Sequence, residues 1–385
     1  MKDLKIKLLG STKEGYEMSK DEALKHGSHA AAICYMNDSF KNIQNEKESK
    51  TNNRIKRTLN SGHHSVYGHT TYNLYLKNVP KILAMVLNNE KVYTTSEKSA
   101  RYTKMTDLEE EEEKLYQKWK SKFYKNIENE YPNLSDKKTE KLAMENARYL
   151  TSVFTPAKME YSTNFRQLNY IMHWFNDFVD KEKNTIFNQK LKDSMLQFNN
   201  QLNDLYVEDL NPKQKKRSLS LFKDKLDSKE FFGDVYSTNY KISFAGLAQA
   251  HRHRTINYEM EPIKRPTEFY IPKILKKDSE KNEWLSDLEK VAMNFPQATL
   301  VNVKERGTYE DFLSKATERL CGHAQLEIMN QTKNTLEKYL EQTKEDYQKI
   351  HEDLKQYNNG PKCTFPEVKC LEPCYFGKKS LEGMI

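Results

Sequence analysis

Glycine is scarce in this sequence, with 12 residues in 385. No phosphate-binding Gly-x-x-x-x-Gly-Lys loop and no Gly-x-Gly-x-x-Gly turn occurs. A nucleotide bound here must therefore be held by side chains and helix ends rather than by a glycine cradle. No Ser-His-Asp order is visible either. Long apolar runs are missing, and no stretch approaches the ~18 residues that a membrane span needs. The opening Met1-Lys2-Asp3-Leu4 enters a short strand-like run without a signal-peptide apolar region, so the expected location is cytoplasmic. Five cysteines, an odd number in a chain this long, argue against a disulfide framework. No long block of one charge occurs. The 63 basic and 55 acidic residues are interspersed, and the net charge of +8 reads as a preference for small anionic ligands. Neither a nucleic-acid nor a membrane partner is expected.

What is present is enough for a sizeable core: 17 Phe, 23 Tyr and many Ile and Leu in a chain that is 31% charged. The length suggests two or three domains. Lys20 to Cys34 reads as a polar helix. A histidine-rich loop follows at Gly62-His63-His64-Ser65-Val66-Tyr67-Gly68-His69. Tyr72, Leu74 and Leu76 alternate with polar neighbours as in a strand. Pro80 opens a helix over Lys81 to Asn88. A charged helix is expected over Leu108 to Glu128, with Glu109 to Glu113 on a solvated face. Further helices are expected over Asp136 to Phe154 and Asn164 to Phe175, the latter with an apolar stripe. Lys213 to Lys229 reads as a connector. The order then restarts: a strand at Tyr240, Ile242 and Phe244, a helix ending at His251, a proline-marked turn and a charged helix near Glu280 to Ala292. A final helix, Tyr309 to Leu320, is expected to run on towards Ile328. This restart implies an internal duplication. The expected organisation is a first repeat over 1–205, a linker over 206–232, a second repeat over 233–357 and a cysteine-containing tail over 358–385.

Two stretches carry chemistry. Gln249-Ala250-His251-Arg252-His253-Arg254 ends an apolar run with cations that can converge on an anion in a tight turn. By itself it also reads as a solvated helix cap. Ser96-Glu97-Lys98-Ser99-Ala100-Arg101-Tyr102 offers a hydroxyl, a cation and the Ala100 N–H as a phosphate cradle. A helix N-cap at Ser96 or Ser99 fits the same residues. Arg148 and Arg319 fall on apolar helical stripes and need a counter-charge, from an internal carboxylate or from a ligand anion. The histidines at 63, 64 and 69 lack supporting metal ligands. Cys363, Cys370 and Cys374, with His351, are weak candidates for a structural metal, and their spacing matches no standard zinc knuckle. No metal is expected in the active centre.

Taken together, the two stretches resemble flavin-dependent thymidylate synthase. The family's signature joins an Arg-His-Arg triplet, across seven residues, to a Ser within a Glu-x-Ser-x-Arg-Tyr ending. Here it is split. The second repeat keeps the opening, Gln249 and Arg252-His253-Arg254, but has Met260, Pro262 and Lys264 where the ending belongs. The first repeat keeps the ending, Glu97, Ser99, Arg101 and Tyr102, but has Asn89-Glu90-Lys91 where the triplet belongs. His63 to His69 is similar to the family's flavin-facing loop, with Gly68 replacing its usual acid. Arg148 resembles a nucleotide-binding arginine, and Asn164 with Arg166 the flavin-contacting Asn-x-Arg. Arg319 resembles the second nucleotide-binding arginine, and Ala324-Gln325-Leu326-Glu327-Ile328 the family's Ala-Gln-x-Glu-Ile.

The resemblance implies an α+β fold of two tandem repeats forming a pseudo-dimer, with one composite site per chain and a homodimer mimicking the family tetramer. It implies FAD held by Arg252, His253, Arg254, Asn257, His69, Asn164, Arg166 and Asn169. It implies dUMP held by Gln249, Glu97, Ser99, Ala100, Arg101, Arg148 and Arg319, with Arg148 and Arg319 in the catalytic role. The implied reaction is methylation of dUMP to dTMP, with methylenetetrahydrofolate and NADPH as cosubstrates. The alternatives are a methylase or hydroxymethylase of UMP or dCMP, and a non-catalytic flavin- or nucleotide-binding homologue.

Overall fold

The computed structural model describes residues 2–13, 18–34, 36, 39–99, 101, 107–213, 216–366 and 368–385. Ala100 and Tyr102 of the expected cradle, and residues 214–215 of the expected connector, lie outside these. In chain order the elements open with β1 (Lys5–Ser11), α1 (Lys20–Ile33), α2 (Phe40–Gln44) and α3 (Glu48–Asn60). Then come β2 (Thr71–Pro80), α4 (Lys81–Leu87), β3 (Tyr93–Glu97), α5 (Glu110–Glu130) and α6 (Asp136–Ala147). Next are β4 (Pro156–Asn164), α7 (Phe165–Lys181) and α8 (Ile186–Gln201). The second part runs β5 (Val235–Ser243), α9 (Phe244–Ala250), β6 (Asn257–Met260), α10 (Asp278–Lys290), β7 (Leu300–Thr308) and α11 (Tyr309–Arg319). It closes with α12 (Leu326–Thr343) and α13 (Gln348–Lys355). The fold is α+β.

The duplication is visible in the sheets. One has the order β1-β2-β4-β3 and the other β5-β7-β6, every neighbour antiparallel. The set β2-β4-β3 thus repeats as β5-β7-β6. The same strand-to-helix joints recur. β4 and β7 are both nine residues long and pass straight into a helix capped by their last residue. Asn164 accepts from the Gln167 N–H and Thr308 from the Asp311 N–H, satisfying donors that the first turn leaves open. β2 and β5 likewise pass straight into α4 and α9.

Residues 1–98 and 156–220 form one compact unit, and residues 99–155 and 221–385 the other. In the first unit β2 alternates as expected, with Tyr72, Leu74 and Leu76 buried. In the second unit α5, which is inserted between strands of the first repeat, packs on α10 of the second. Trp119 meets Trp284 edge-on at 4.9 Å and Phe123 meets Trp284 at 5.4 Å. Asp287 accepts from the Trp119 indole and pairs with Lys118 and Lys290. The core of this unit therefore mixes residues of both repeats.

Three sequence expectations are corrected. Glu112 is buried, not part of a solvated glutamate face. Burial first, and then the neighbouring Glu109, push its carboxyl up to about 7. The helix expected to reach Phe154 ends at Ala147, followed by a single 3-10 turn over Arg148–Leu150. The helix expected to continue past Leu320 stops at Arg319, where Leu320 leaves the helical region (ψ 59°), and α12 restarts at Leu326. β4, β7 and α8 have no counterpart in the sequence reading.

Candidate functional site

The second unit brings the arginine-rich stretches together. Ser243 caps α9, accepting from the Gly246 N–H at 3.0 Å, and the helix ends at Ala250. The chain then turns, and the three residues of the triplet part company. Arg252 and Arg254 are exposed, while His253 is buried. His253 Nε2 accepts from Arg319 Nε at 2.7 Å. Burial, then Arg319 and Lys315, hold the imidazole down to about 2, so it is neutral at any working pH. With Nε2 accepting, its proton resides on Nδ1. Of the residues expected to hold the flavin, His253 thus faces inward as a bracket for Arg319, and the two flanking guanidiniums face outward. Gln249 is half-buried in the last turn of α9, and Asn257 is exposed at the start of β6.

Arg148 is held from the other side. It is buried, and its Nη2 donates to Gln325 Oε1. Gln325 Nε2 donates to the Tyr149 hydroxyl, which donates to Glu327 Oε2 at 2.7 Å. Glu327 also accepts from the Ser243 N–H at 2.8 Å and the Ser243 hydroxyl at 2.6 Å. Only glycine at 246 admits this carboxyl, because a Cβ there would sit 2.9 Å from Glu327 Cδ. One buried chain of hydrogen bonds thus links the first turn of α9, whose far end carries the triplet, to Arg148. Burial raises the Glu327 carboxyl, against the opposing effect of the Ser243 and Tyr149 donors and of Arg148. Arg148 Nε has no hydrogen-bond partner, and Arg148 has no carboxylate within ion-pair distance, among the described residues.

The cradle arginine joins the same group. Arg101 Nη2 donates to the His323 carbonyl at 2.8 Å, and its Nε lies 2.9 Å from Glu145 Oε2. Its own N–H donates to Ser99 Oγ at 3.3 Å. Burial lowers both buried guanidiniums most; at Arg319 it is opposed by Tyr258 and Glu318 and joined by Arg101 and Arg252, and at Arg148 it is opposed by Glu145 and Tyr149 and joined by Arg101. Guanidiniums stay protonated in proteins, so the region is a standing surplus of positive charge. A cavity of about 490 Å³ opens beside Arg101, with Lys138 and Lys141 on its wall.

The remaining expected residues lie in the first unit. Glu97 pairs with Lys81 at 2.6 Å. His69 is exposed, its ring 6.4 Å from His26. His64 is a core histidine, bonded to the Tyr170 hydroxyl and the Leu59 carbonyl. Asn164 is occupied as a helix cap. Asn169 is fully buried, donating to the Phe165 and Leu205 carbonyls and accepting from the Val207 N–H. Arg166 is half-buried, and its Nε lacks a hydrogen-bond partner. The first-repeat counterpart of the triplet, Asn89-Glu90-Lys91, follows α4 as Arg252-His253-Arg254 follows α9. It is closed by its own chain: Asn89 donates to Ser220 Oγ at 2.7 Å, and Glu90 accepts from the Ser220 N–H at 2.6 Å.

Sequence reasoning omits Glu145, Tyr149 and His323. Glu145 has a signal, since it stands one helical turn before Arg148 and can share its face. Tyr149 and His323 are neighbours of residues already singled out and show no pattern of their own. No group of three metal-ligating side chains converges among the described residues, the weak candidates Cys363, Cys370 and Cys374 included.

Residues 18–182, less than half of the chain, match the family model described as thymidylate synthase complementing protein. No curated protein matches the chain. Among solved structures, thymidylate synthase X from Helicobacter pylori with FAD and dUMP is 16% identical, with 54% of this chain and 99% of that chain covered and a TM-score of 0.33. The UMP/dUMP methylase PolB from Streptomyces cacaoi bound with 5-Br dUMP is 17% identical, with 45% of this chain and 78% of that chain covered and a TM-score of 0.32. At these TM-scores neither likeness bears on the site.

Proposed function

We propose that this chain, whose residues 18–182 match the family model of thymidylate synthase complementing protein, is a flavin-dependent methylase of a uridylate nucleotide. The reading is that it converts dUMP to dTMP at one composite site per chain. The observation that supports it most directly is Arg148: a buried guanidinium with an unsatisfied Nε and no ion-paired carboxylate among the described residues, within Coulomb range of Glu145 and of Arg101. Glu145 and Glu327 offset this buried cation only at a distance, and a nucleotide phosphate would give its Nε a direct anionic partner. Ser99 and Arg101 come from the first repeat and Arg319 from the second, as the split signature implies.

The residues fit the groups that the reaction needs. The exposed pair Arg252 and Arg254 would hold the flavin phosphates, since guanidinium forks bind phosphate oxygens bidentately. Of the flavin candidates in the first unit, taken by itself, Arg166 keeps an Nε without a hydrogen-bond partner among the described residues, and His69 is exposed. When bound, reduced FAD, recharged by NADPH, supplies hydride, and methylenetetrahydrofolate supplies the one-carbon unit. The protein's part is positioning and electrostatics. Arg101 and Ser99 bind the nucleotide phosphate, and Arg148, positioned by Gln325 and Tyr149, completes the clamp. Arg319, aimed by neutral His253, stabilises negative charge that develops on the pyrimidine oxygens. His253 has no proton to give at Nε2, so it orients and does not act as an acid. Two chains would assemble as the family's four subunits do.

Purified protein supplied with FAD should be yellow, and should release tritium from C5-labelled dUMP when NADPH and methylenetetrahydrofolate are present. A protein that takes up no FAD and releases no tritium contradicts this reading. Rates on dUMP, UMP and dCMP then identify the base.

A further inference from the structure

Four of the five cysteines, Cys321, Cys363, Cys370 and Cys374, line one cavity of about 340 Å³ in the second unit, together with Arg319 and His323. The fifth, Cys34, lies in the first unit. Cys321 belongs to the turn between α11 and α12, and the other three to the C-terminal tail. The tail is fastened to that turn at several points. The Lys362 N–H donates to the Leu320 carbonyl at 2.6 Å, and the His323 ring bonds the Glu372 carbonyl at 2.8 Å. Cys374 presses on the turn so closely that a Cβ at Gly322 would lie 2.6 Å from its sulfur. Its thiol is thus packed against the residue that follows Cys321. Burial, with Cys374 and Cys370 nearby, raises the Cys321 thiol. Cys374 also faces the 490 Å³ cavity beside Arg101. It forms part of the wall between the Arg101 side and the Arg319 side.

We propose that Cys321 and Cys374 are a thiol modification site, taking a low-molecular-weight disulfide and closing to a reversible bond that clamps the tail over the arginine cluster. Among the described residues no group of three metal-ligating side chains converges here. In a reducing compartment protein disulfides are mostly transient and regulatory, which suits a pair of free thiols on a surface cavity. The chemistry balances. Cys374 thiolate attacks one sulfur of the small disulfide, forming a mixed disulfide and releasing one small thiol. Cys321 thiolate then attacks the Cys374 sulfur, forming the protein S–S bond and releasing the second small thiol. Two protein thiols are oxidised and one small disulfide is reduced to two thiols. The bond joins Cys374 to a residue two positions from both Arg319 and His323, whose carbonyl holds Arg101. The oxidised tail therefore stiffens the wall of the anion site and restricts entry.

The consequence for nucleotide rests on the proposed function, whereas the bond itself does not. Full-length protein is incubated with oxidised glutathione or with dithiothreitol, digested without reduction and examined by mass spectrometry. Affinity for dUMP is measured on the same two samples by calorimetry. The expected results are a Cys321–Cys374 linked peptide in the oxidised sample only and dUMP binding weakened about tenfold, a typical coupling between sites. Cys374→Ser should abolish both the link and the effect of oxidant, and Cys363→Ser should retain both. Absence of the link, or equal linkage through Cys363 or Cys370, overturns the site. A link that leaves dUMP affinity unchanged overturns the clamp. If reduced protein fails to bind dUMP at all, the proposed substrate is wrong and the linked peptide still decides the modification.

Discussion

Arg148 and Glu112 are both ionisable groups sunk in the second unit, and their surroundings give them opposite uses. Glu112 is opposed by burial and by Glu109, and its carboxyl rises from 4.5 to about 7. Between those values the folded protein binds a proton that the unfolded chain does not. Its contribution is therefore fully present below pH 4.5 and is lost as pH rises through 7, by about 3 kcal/mol. Glu112→Gln should remove that dependence, and thermal melts at pH 5 and pH 8 check it. Equal pH slopes for variant and parent would contradict the burial argument. Arg148, by contrast, is offset by Glu145 and Glu327 only at a distance, and its Nε has no hydrogen-bond partner among the described residues, which leaves a place for a ligand anion. Arg148→Ala should weaken uridylate binding by about 10- to 100-fold, the size of one charge-assisted hydrogen bond. In the absence of nucleotide the same variant should melt only slightly lower than the parent, having lost its bond to Gln325. A fall in melting temperature with unchanged binding would mean that Arg148 serves the fold and not a ligand.

At the scale of elements, the strand and helix that begin each repeat are legible because Tyr72, Leu74 and Leu76 alternate and the following apolar run is helical in length. The central strands are not. In β4, Lys158 and Glu160 occupy the outward positions, and no turn residue separates the strand from the helix that Asn164 caps. The register of the split triplet is legible: three residues after α4 match three after α9. The facing of its members is not. Spacing cannot say that His253 turns inward, since its partner Arg319 lies 66 residues away. Nor can sequence announce that α5 leaves its own repeat to pack on α10, because that contact joins residues far apart in the chain. The exchange makes a stability prediction. Trp119→Ala removes a fully buried ring between Trp284 and Phe123 and leaves Asp287 short of a donor. It should cost about 3–5 kcal/mol in urea unfolding. A loss below about 1 kcal/mol would show that the exchanged helix does not support the unit.

For the whole molecule, the proposed division of labour between the repeats matches the split signature. Ser220 closes the first-repeat counterpart of the triplet, while Arg252 and Arg254 of the second repeat are exposed. The prediction is one flavin per chain, lost on replacing Arg252 and Arg254 by alanine and unaffected by Lys91→Ala. Absorbance titration with FAD reads both. Calorimetric titration of dUMP into the FAD-loaded protein tests the shared site itself. The account predicts one dUMP per chain, with binding abolished equally by Arg101→Ala from the first repeat and Arg319→Ala from the second. Two nucleotides per chain, or undiminished binding in either variant, would contradict it.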